Sequence, residues 1–327
     1  MLLPLVLLAV GLVGLIAGGN LFVDGSAGLA RLLNVRPLII GLVVIGFGTS
    51  APEMLVTLLA LLDGKGGIAL GNVVGSNIAN IGLVMAAAAI VYPLDVHRSV
   101  LRRELPLTVT VTLLFSVLLA VDGRIDMLDG VLLLLAFTLS LAYILGMPFL
   151  PWVGRRAARQ MEAEVAEIIE ESPTVVLPKR PTVAIVQTVG GLALILAGAQ
   201  FTVDSAATIA RQFGVSDEVI GLTLVAVGTS LPELAAGIIA ALKRETDLIT
   251  GNVLGSNMYN LGCTGGLLGL FSGAGVMAEE QLWYSSNAIM IVLTMLLVPV
   301  LLRGQRMTRI EGAIILGGYV VFTLLLF

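Results

Sequence analysis

Two short stretches concentrate oxygen in an otherwise apolar chain: residues 46–53 read GFGTSAPE and residues 226–233 read AVGTSLPE. Each places a glutamate, Glu53 or Glu233, behind a proline and two hydroxyls, Thr49 and Ser50 or Thr229 and Ser230. Gly46 and Ala226, which open the two motifs, are counted with them. A second pair, GNVVGSNIAN at 71–80 and GNVLGSNMYN at 251–260, adds Ser76, Asn77 and Asn80, then Ser256, Asn257 and Asn260. The i, i+4 spacing of Ser76 to Asn80 and of Ser256 to Asn260 puts each pair on one helix face. Pro52 and Pro232 lack an N–H and clash with the carbonyl four residues back, so oxygens around Gly48 and Gly228 are freed. Every donor is oxygen. That set suits hard cations, Ca²⁺ or Na⁺, whereas zinc or copper would want His or Cys. Two carboxylates neutralise one Ca²⁺ or two Na⁺, as competition between those ions at one site requires.

The elements that position these residues belong to a membrane protein. The chain has 327 residues, 57% of them hydrophobic and 12% charged, and apolar runs of about 20 residues recur from end to end. The expected fold is all-α and polytopic, with ten membrane spans near 3–29, 38–62, 67–92, 101–121, 127–147, 182–208, 218–242, 247–271, 282–302 and 308–327. The first span lacks a basic leader, which favours a retained helix over a cleaved signal. Glu53 and Glu233 then fall near mid-membrane, where a carboxylate needs a partner or a water-filled cavity. The four motif segments contain no Lys, Arg or His, so the counter-charge is a cation brought from outside. The lone cysteine, Cys263, reads as a helix-packing residue and excludes an internal disulfide. No cofactor, nucleic acid or obligate protein partner is indicated; the partners are the transported ions and the lipid bilayer.

Between the fifth and sixth spans lies one long polar stretch with an acidic run from Glu162 to Glu171, read as a solvated helix face. It divides the chain into a first repeat (1–150), a cytoplasmic linker (151–180) and a second repeat (181–327). Asp24 aligns with Asp204, Gly41-Leu42 with Gly221-Leu222, and both motifs with their copies, all at one gapless offset of 180 residues. With five spans in each half, the second enters the membrane upside down, and matched residues meet near mid-membrane. Placing the N-terminus outside puts 15 of the 18 Lys and Arg on the cytoplasmic side, leaving Lys65, Arg124 and Arg211 outside. That bias supports N-out and C-out, and with it the ten spans. Asp24 and Asp204, near helix ends, read as structural, and His97 as exposed.

The doubled GTSxPE and GNxxGSNxxN segments in two inverted five-helix halves resemble bacterial and archaeal members of the sodium/calcium exchanger family, within the calcium:cation antiporter superfamily. The resemblance covers essentially the whole chain. It implies a cell-membrane antiporter, not an enzyme, in which Na⁺ entry drives Ca²⁺ out by alternating access. It also implies that Glu53 and Glu233 bind Ca²⁺, and that neighbouring Thr, Ser and backbone oxygens bind Na⁺. In the family the first and sixth helices slide across the other eight. One departure stands out: well-studied exchangers carry Asp where this chain has Asn260, while their first-repeat residue is Asn, as Asn80 is. Proton-coupled relatives in the superfamily read GNxxE in place of GTSxPE, which argues against obligate proton coupling. A proton-coupled cation antiporter is the alternative. A channel would gather carboxylates as rings from several subunits, and an intramembrane hydrolase would want an acid dyad suited to water activation.

Overall fold

Long apolar runs without charge can satisfy their backbone in lipid only as helices, and these segments form helices. The computed structural model describes residues 2–33, 35–146, 180–213, 226–278 and 285–325. The helices are α1 (Leu2–Leu32), α2 (Pro37–Thr49, then Ala51–Leu62), α3 (Gly66–Val91), α4 (Arg98–Asp122), α5 (Met127–Ile144), α6 (Pro181–Gln212), α7 (Ala226–Thr229, then Leu231–Leu242), α8 (246–271), α9 (Asn287–Gly304) and α10 (Arg309–Leu325). These match the ten spans expected from sequence. The linker's acidic run, Gly221-Leu222 and the first residues of the seventh and ninth spans lie outside the described residues.

The ends of the helices sort into two groups, and contacts among the turns reveal the sorting. At one end β1 (Leu94–Asp95) pairs antiparallel with β4 (Arg306–Met307). There His97 faces Asp247 at 3.9 Å, Arg36 pairs with Glu104 at 3.5 Å, and Arg31 pairs with Glu245 at 3.4 Å. At the other end β2 (Arg124–Ile125) pairs with β3 (Val276–Met277). Gly66 packs against Val276, where an added Cβ would come within 2.8 Å. The first group contains most of the arginines and the second holds Lys65 and Arg124, so the turns segregate as the charge bias requires. An all-helical reading does not foresee these two-residue ladders. They arise where two turns at one membrane face run side by side and share backbone hydrogen bonds.

The inversion of the halves is visible in the packing of α1 on α6. An added Cβ on Gly11 would meet the Gly198 carbonyl oxygen at 2.8 Å, one on Gly18 the Gly191 oxygen at 2.8 Å, and one on Gly25 the Ala184 oxygen at 2.8 Å. As the number rises along α1 it falls along α6, so the two opening helices run antiparallel. Small residues let the backbones touch, which is how helices associate where lipid removes the hydrophobic driving force. Both helices otherwise present much of their surface to lipid. Motif residues on each of α2, α3, α7 and α8 are almost wholly buried, with Thr49, Glu53, Asn77, Glu233, Ser256 and Asn260 at 1% exposure or less.

Candidate cation site

Each glutamate sits just past a break in its helix. In α2 the segments before and after Ser50 are bent by 40°. Ser50 has φ −84 and ψ 1, and Ser230, its counterpart in α7, has φ −89 and ψ 3. These angles lie in the sparsely populated bridge region, and both repeats adopt them. Pro52 and Pro232 occupy the first turn of the following helical segment, where a missing N–H is tolerated. The sequence motif is therefore a helix-restart signal: each proline falls just inside a new helical segment, behind the break at Ser50 or Ser230.

Among the described residues, π-helical turns interrupt three of the motif-bearing helices: Gly41–Ile45 in α2, Asn80–Met85 in α3 and Tyr259–Thr264 in α8. The last two begin within a residue of Asn80 and Asn260, at matched places in the two repeats. Such bulges widen a helix by one residue per turn and are common at functional sites. Sequence reasoning did not anticipate them, because α3 and α8 are apolar and buried on most sides, so the change of phase that an inserted residue brings leaves no mark on the pattern.

The two repeats meet through side chains nominated from sequence. Ser50 Oγ donates to Glu233 Oε1 at 3.2 Å, Asn80 Nδ2 donates to Asn257 Oδ1 at 3.0 Å, and Ser256 Oγ donates to the Gly46 carbonyl at 3.3 Å. Gly46, Thr49, Ser50, Glu53, Ser76, Asn80, Ser230, Glu233, Ser256 and Asn260 are all buried, both glutamates being 1% exposed. Thr229 is partly exposed, and Ala226 opens the short helix Ala226–Thr229. The close approach depends on glycine: an added Cβ on Gly46 would meet the Ser256 nitrogen at 3.0 Å. A larger residue there would push α2 off α8 and open the cluster.

Several of these buried atoms have no protein partner among the described residues. Both carboxylate oxygens of Glu53, Oε2 of Glu233, both polar atoms of Asn260 and the amide nitrogen of Asn257 stand without a hydrogen bond. A buried polar atom left unpaired costs on the order of 1–3 kcal/mol, and more if it is charged. This many orphans in one place mark a cluster shaped around something else. Hydroxyl, amide, carboxylate and backbone oxygens dominate it. Among the described residues no group of three or more His, Cys, Asp or Glu is placed to hold a metal ion; the oxygens of this cluster are donors of the kind a hard cation takes.

Two residues in the motifs were not nominated from sequence. Asn72 Nδ2 donates to the Glu53 carbonyl at 2.9 Å and to Thr57 Oγ1 at 2.9 Å. Asn252 Oδ1 accepts from Thr49 Oγ1 at 3.2 Å and from Ser256 Oγ at 3.4 Å. The signal was present. The same i, i+4 spacing that groups Ser76 with Asn80 extends one turn back to Asn72, and likewise from Ser256 to Asn252. Of the residues read as structural or exposed, Asp24 forms an ion pair with Lys243 at 2.5 Å. His97 is exposed, with Asp247 beside it, and Cys263 packs partly buried near Phe137 and Tyr259.

Ten helices in two inverted halves, with broken helices bringing oxygen to mid-membrane, define the class: a secondary transporter that moves cations. The family described as sodium/calcium exchanger protein matches residues 3–146 and 183–327, one match in each half, and the chain belongs to it. It is a multi-pass membrane protein and a cation/calcium antiporter, not an enzyme. CaxA of Alkalimonas amylolytica is 40% identical over 330 residues, covering 100% of this chain and 99% of that protein. Inner membrane protein YrbG of Escherichia coli (strain K12) is 34% identical over 331 residues, covering 100% of this chain and 98% of its own length. Among solved structures, the sodium-calcium exchanger NCX_Mj soaked with zero Na⁺ and Ca²⁺ superposes with a TM-score of 0.82 at 29% identity, covering 100% of this chain and 99% of that one.

Proposed function

We propose that this antiporter exchanges Na⁺ for Ca²⁺ at a single central site, with Glu53 and Glu233 supplying the charge. The observation that carries the reading is the set of unpartnered oxygens on the two buried glutamates, in helices whose motifs contain no basic residue. Thr49, Ser50, Thr229, Ser230, Ser76 and Ser256 supply hydroxyl oxygens, Asn80 and Asn260 supply amide oxygens, and backbone oxygens of the segments opened by Gly46 and Ala226 complete the cage. Two carboxylates balance one Ca²⁺ or two Na⁺, so either load leaves the desolvated cage neutral. NCX_Mj, similar in fold over its whole length, is called a sodium-calcium exchanger, which supports Na⁺ as the coupling ion. The repeats 1–150 and 181–327 form the transport unit, the 151–180 linker faces the cytoplasm, and both termini face outward.

The alternative, proton coupling, rests on the same geometry, because Asn260 removes the third carboxylate that sodium-coupled relatives carry. One experiment separates them: ⁴⁵Ca²⁺ uptake into proteoliposomes loaded with Na⁺, Li⁺, K⁺ or choline, with a pH gradient in a separate arm. Uptake that follows the outward Na⁺ gradient and ignores the pH gradient is the expected result. Uptake that follows only the pH gradient overturns the Na⁺ reading, and uptake with no counter-ion requirement overturns antiport at this site.

A further inference from the structure

The turn between α7 and α8 and the turn between α2 and α3 are copies of one another at the offset of 180 residues. Arg244 has φ 61 and its counterpart Gly64 has φ 72, both left-handed. The hydrogen bonds match as well. Lys243 N–H reaches the Ile239 carbonyl and Asp63 N–H the Leu59 carbonyl; Arg244 reaches Ala241 as Gly64 reaches Leu61; Glu245 reaches Ala240 as Lys65 reaches Ala60. A non-glycine residue in the left-handed region is uncommon. Arg244 stacks over the Tyr92 ring at 5.4 Å, which helps hold the α7–α8 turn in that shape.

The backbones agree and the charges are opposite. In the α7–α8 turn, Lys243 Nζ lies 2.5 Å from Asp24 Oδ1 and donates to the Asn20 carbonyl at 3.2 Å, while Glu245 Oε1 lies 3.4 Å from Arg31. Both partners of this grip, the acceptor Asp24 and the donor Arg31, are on α1, and the four charged side chains are between 5% and 22% exposed. Pairs drawn partly out of water are screened less than surface pairs. At the offset of 180, Asp24 becomes Asp204 and Arg31 becomes Arg211, with charge unchanged. Lys243, however, becomes Asp63, and Glu245 becomes Lys65. The mirror-image contacts are therefore Asp204 with Asp63 and Arg211 with Lys65, like charges in both cases. In the structure Asp63 and Lys65 pair with each other at 3.5 Å, well exposed, and Asp204 accepts from Gln200.

In an inverted-repeat transporter the opposite-facing state is reached when the two halves exchange conformations about the fixed site. A contact of α1 with the α7–α8 turn in one state then becomes a contact of α6 with the α2–α3 turn in the other. We propose that the α7–α8 turn is an electrostatic latch on α1: Lys243–Asp24 and Glu245–Arg31 hold the arginine-rich end closed, and the reversed charges of Asp63 and Lys65 deny the opposite-facing state the equivalent latch. The sequence difference between two otherwise matching turns thus sets which face of the exchanger is favoured at rest. The inference rests on the alternating-access reading, and is independent of which cation drives transport.

The test uses two spin-label pairs that are symmetry mates in exposed positions, Leu33 with Leu242 at the arginine-rich end and Phe213 with Leu62 at the other, in full-length protein carrying Cys263→Ala and reconstituted in vesicles. Double electron–electron resonance reads the population of each closed end. Lys243→Asp with Glu245→Lys is expected to shift the ratio of the two states by about tenfold toward the opposite-facing one. Adding Asp24→Lys and Arg31→Glu is expected to restore it. Asp63→Lys with Lys65→Glu builds the latch at the other end, shortening the 62–213 distance and lengthening the 33–242 distance. Distance distributions unchanged in all three variants overturn the latch, as does a first variant that the compensating changes fail to rescue. Calcium flux in the same vesicles keeps the readings apart: a parent protein without counter-ion-dependent flux defeats the exchange reading, while labels that do not move defeat the latch.

Discussion

The two repeats agree most closely where they break their helices and differ most in how they use the same asparagine. Ser50 and Ser230 share backbone angles within a few degrees, and both glutamates following them are sealed from solvent. Asn72 nevertheless works as a donor, tying α3 to the Glu53 carbonyl and to Thr57. Asn252, its copy, works as an acceptor for Thr49 and Ser256, and its amide nitrogen has no partner among the described residues. The cause is visible one turn past the glutamate: Thr57 in the first repeat is matched by Gly237 in the second, which has no hydroxyl to offer. Duplication supplies a shared scaffold, and single substitutions then make the halves unequal, so that the two facing states need not have equal energy.

If the symmetry at the break carries transport, its removal on either side should have the largest effect. Glu53→Gln and Glu233→Gln are each expected to lower Na⁺-dependent ⁴⁵Ca²⁺ flux by at least about 100-fold, equivalent to about 2.7 kcal/mol, while leaving a folded, membrane-inserted protein. Each leaves Ca²⁺ half neutralised in a desolvated cage. Wild-type-like exchange from either variant would remove the site as drawn.

The asparagines sharpen the comparison, because Asp keeps the shape and the acceptor of Asn but exchanges its donor for a carboxylate, a change made alike in both repeats. Asn72→Asp removes both bonds that hold the Glu53 segment and faces a carbonyl with a carboxylate. Asn252→Asp still accepts from Thr49 and Ser256. Flux is expected to fall about tenfold in the first variant and less than about threefold in the second, since a lost bond with a buried partner costs on the order of 1–3 kcal/mol. Equal losses would mean that the two residues do the same job.

Asn260 offers a change at the centre. Asn260→Asp adds a third carboxylate to a cluster already holding two, creating a place where a proton competes with the transported cation. The expected result is steeper acid inhibition of initial flux rates between about pH 5 and 9 than in the parent, whereas Asn260→Ala weakens cation affinity without adding pH dependence. Superimposable profiles for parent and both variants would show that Asn260 does not face the ions.

Much of this was legible in the sequence. Ten apolar runs, the arginine bias and the gapless offset fix the helices, their alternation and the inversion, because lipid leaves the backbone few options. The motifs likewise bring their hydroxyls, amides and glutamates to one place, since i, i+4 spacing and a proline break act locally. What stayed hidden depends on contacts between distant segments. The π turns at Asn80 and Tyr259 shift the phase of helices that are apolar on most sides, where periodicity carries little signal, and the ladders β1–β4 and β2–β3 join turns far apart in the chain. Asp24 read as structural and forms an ion pair, but its partner stayed hidden because nothing near it in sequence names Lys243. Asn72 and Asn252 look alike until Thr57 and Gly237 are seen one turn beyond the glutamates.

That last difference can be undone, with the smallest expected effect. Gly237→Ser would give the second repeat a hydroxyl where Thr57 stands in the first, within the helix Leu231–Leu242. Two gains point the same way: serine is a better helix former than glycine by a few tenths of a kcal/mol, and the orphaned nitrogen of Asn252 acquires an acceptor worth about 1 kcal/mol. One cost opposes them, because the new Cβ would sit 3.2 Å from Val84 Cγ1, a contact that a small shift of one methyl relieves. The balance favours stabilisation by about 1 kcal/mol, read as a rise of a few degrees in the midpoint of thermal unfolding in detergent. Asn252→Leu in the same background should cancel the hydrogen-bond share of that gain. If Gly237→Ser raises the midpoint equally with and without Asn252, the effect is helix propensity alone, and Gly237 is not the reason the two asparagines differ.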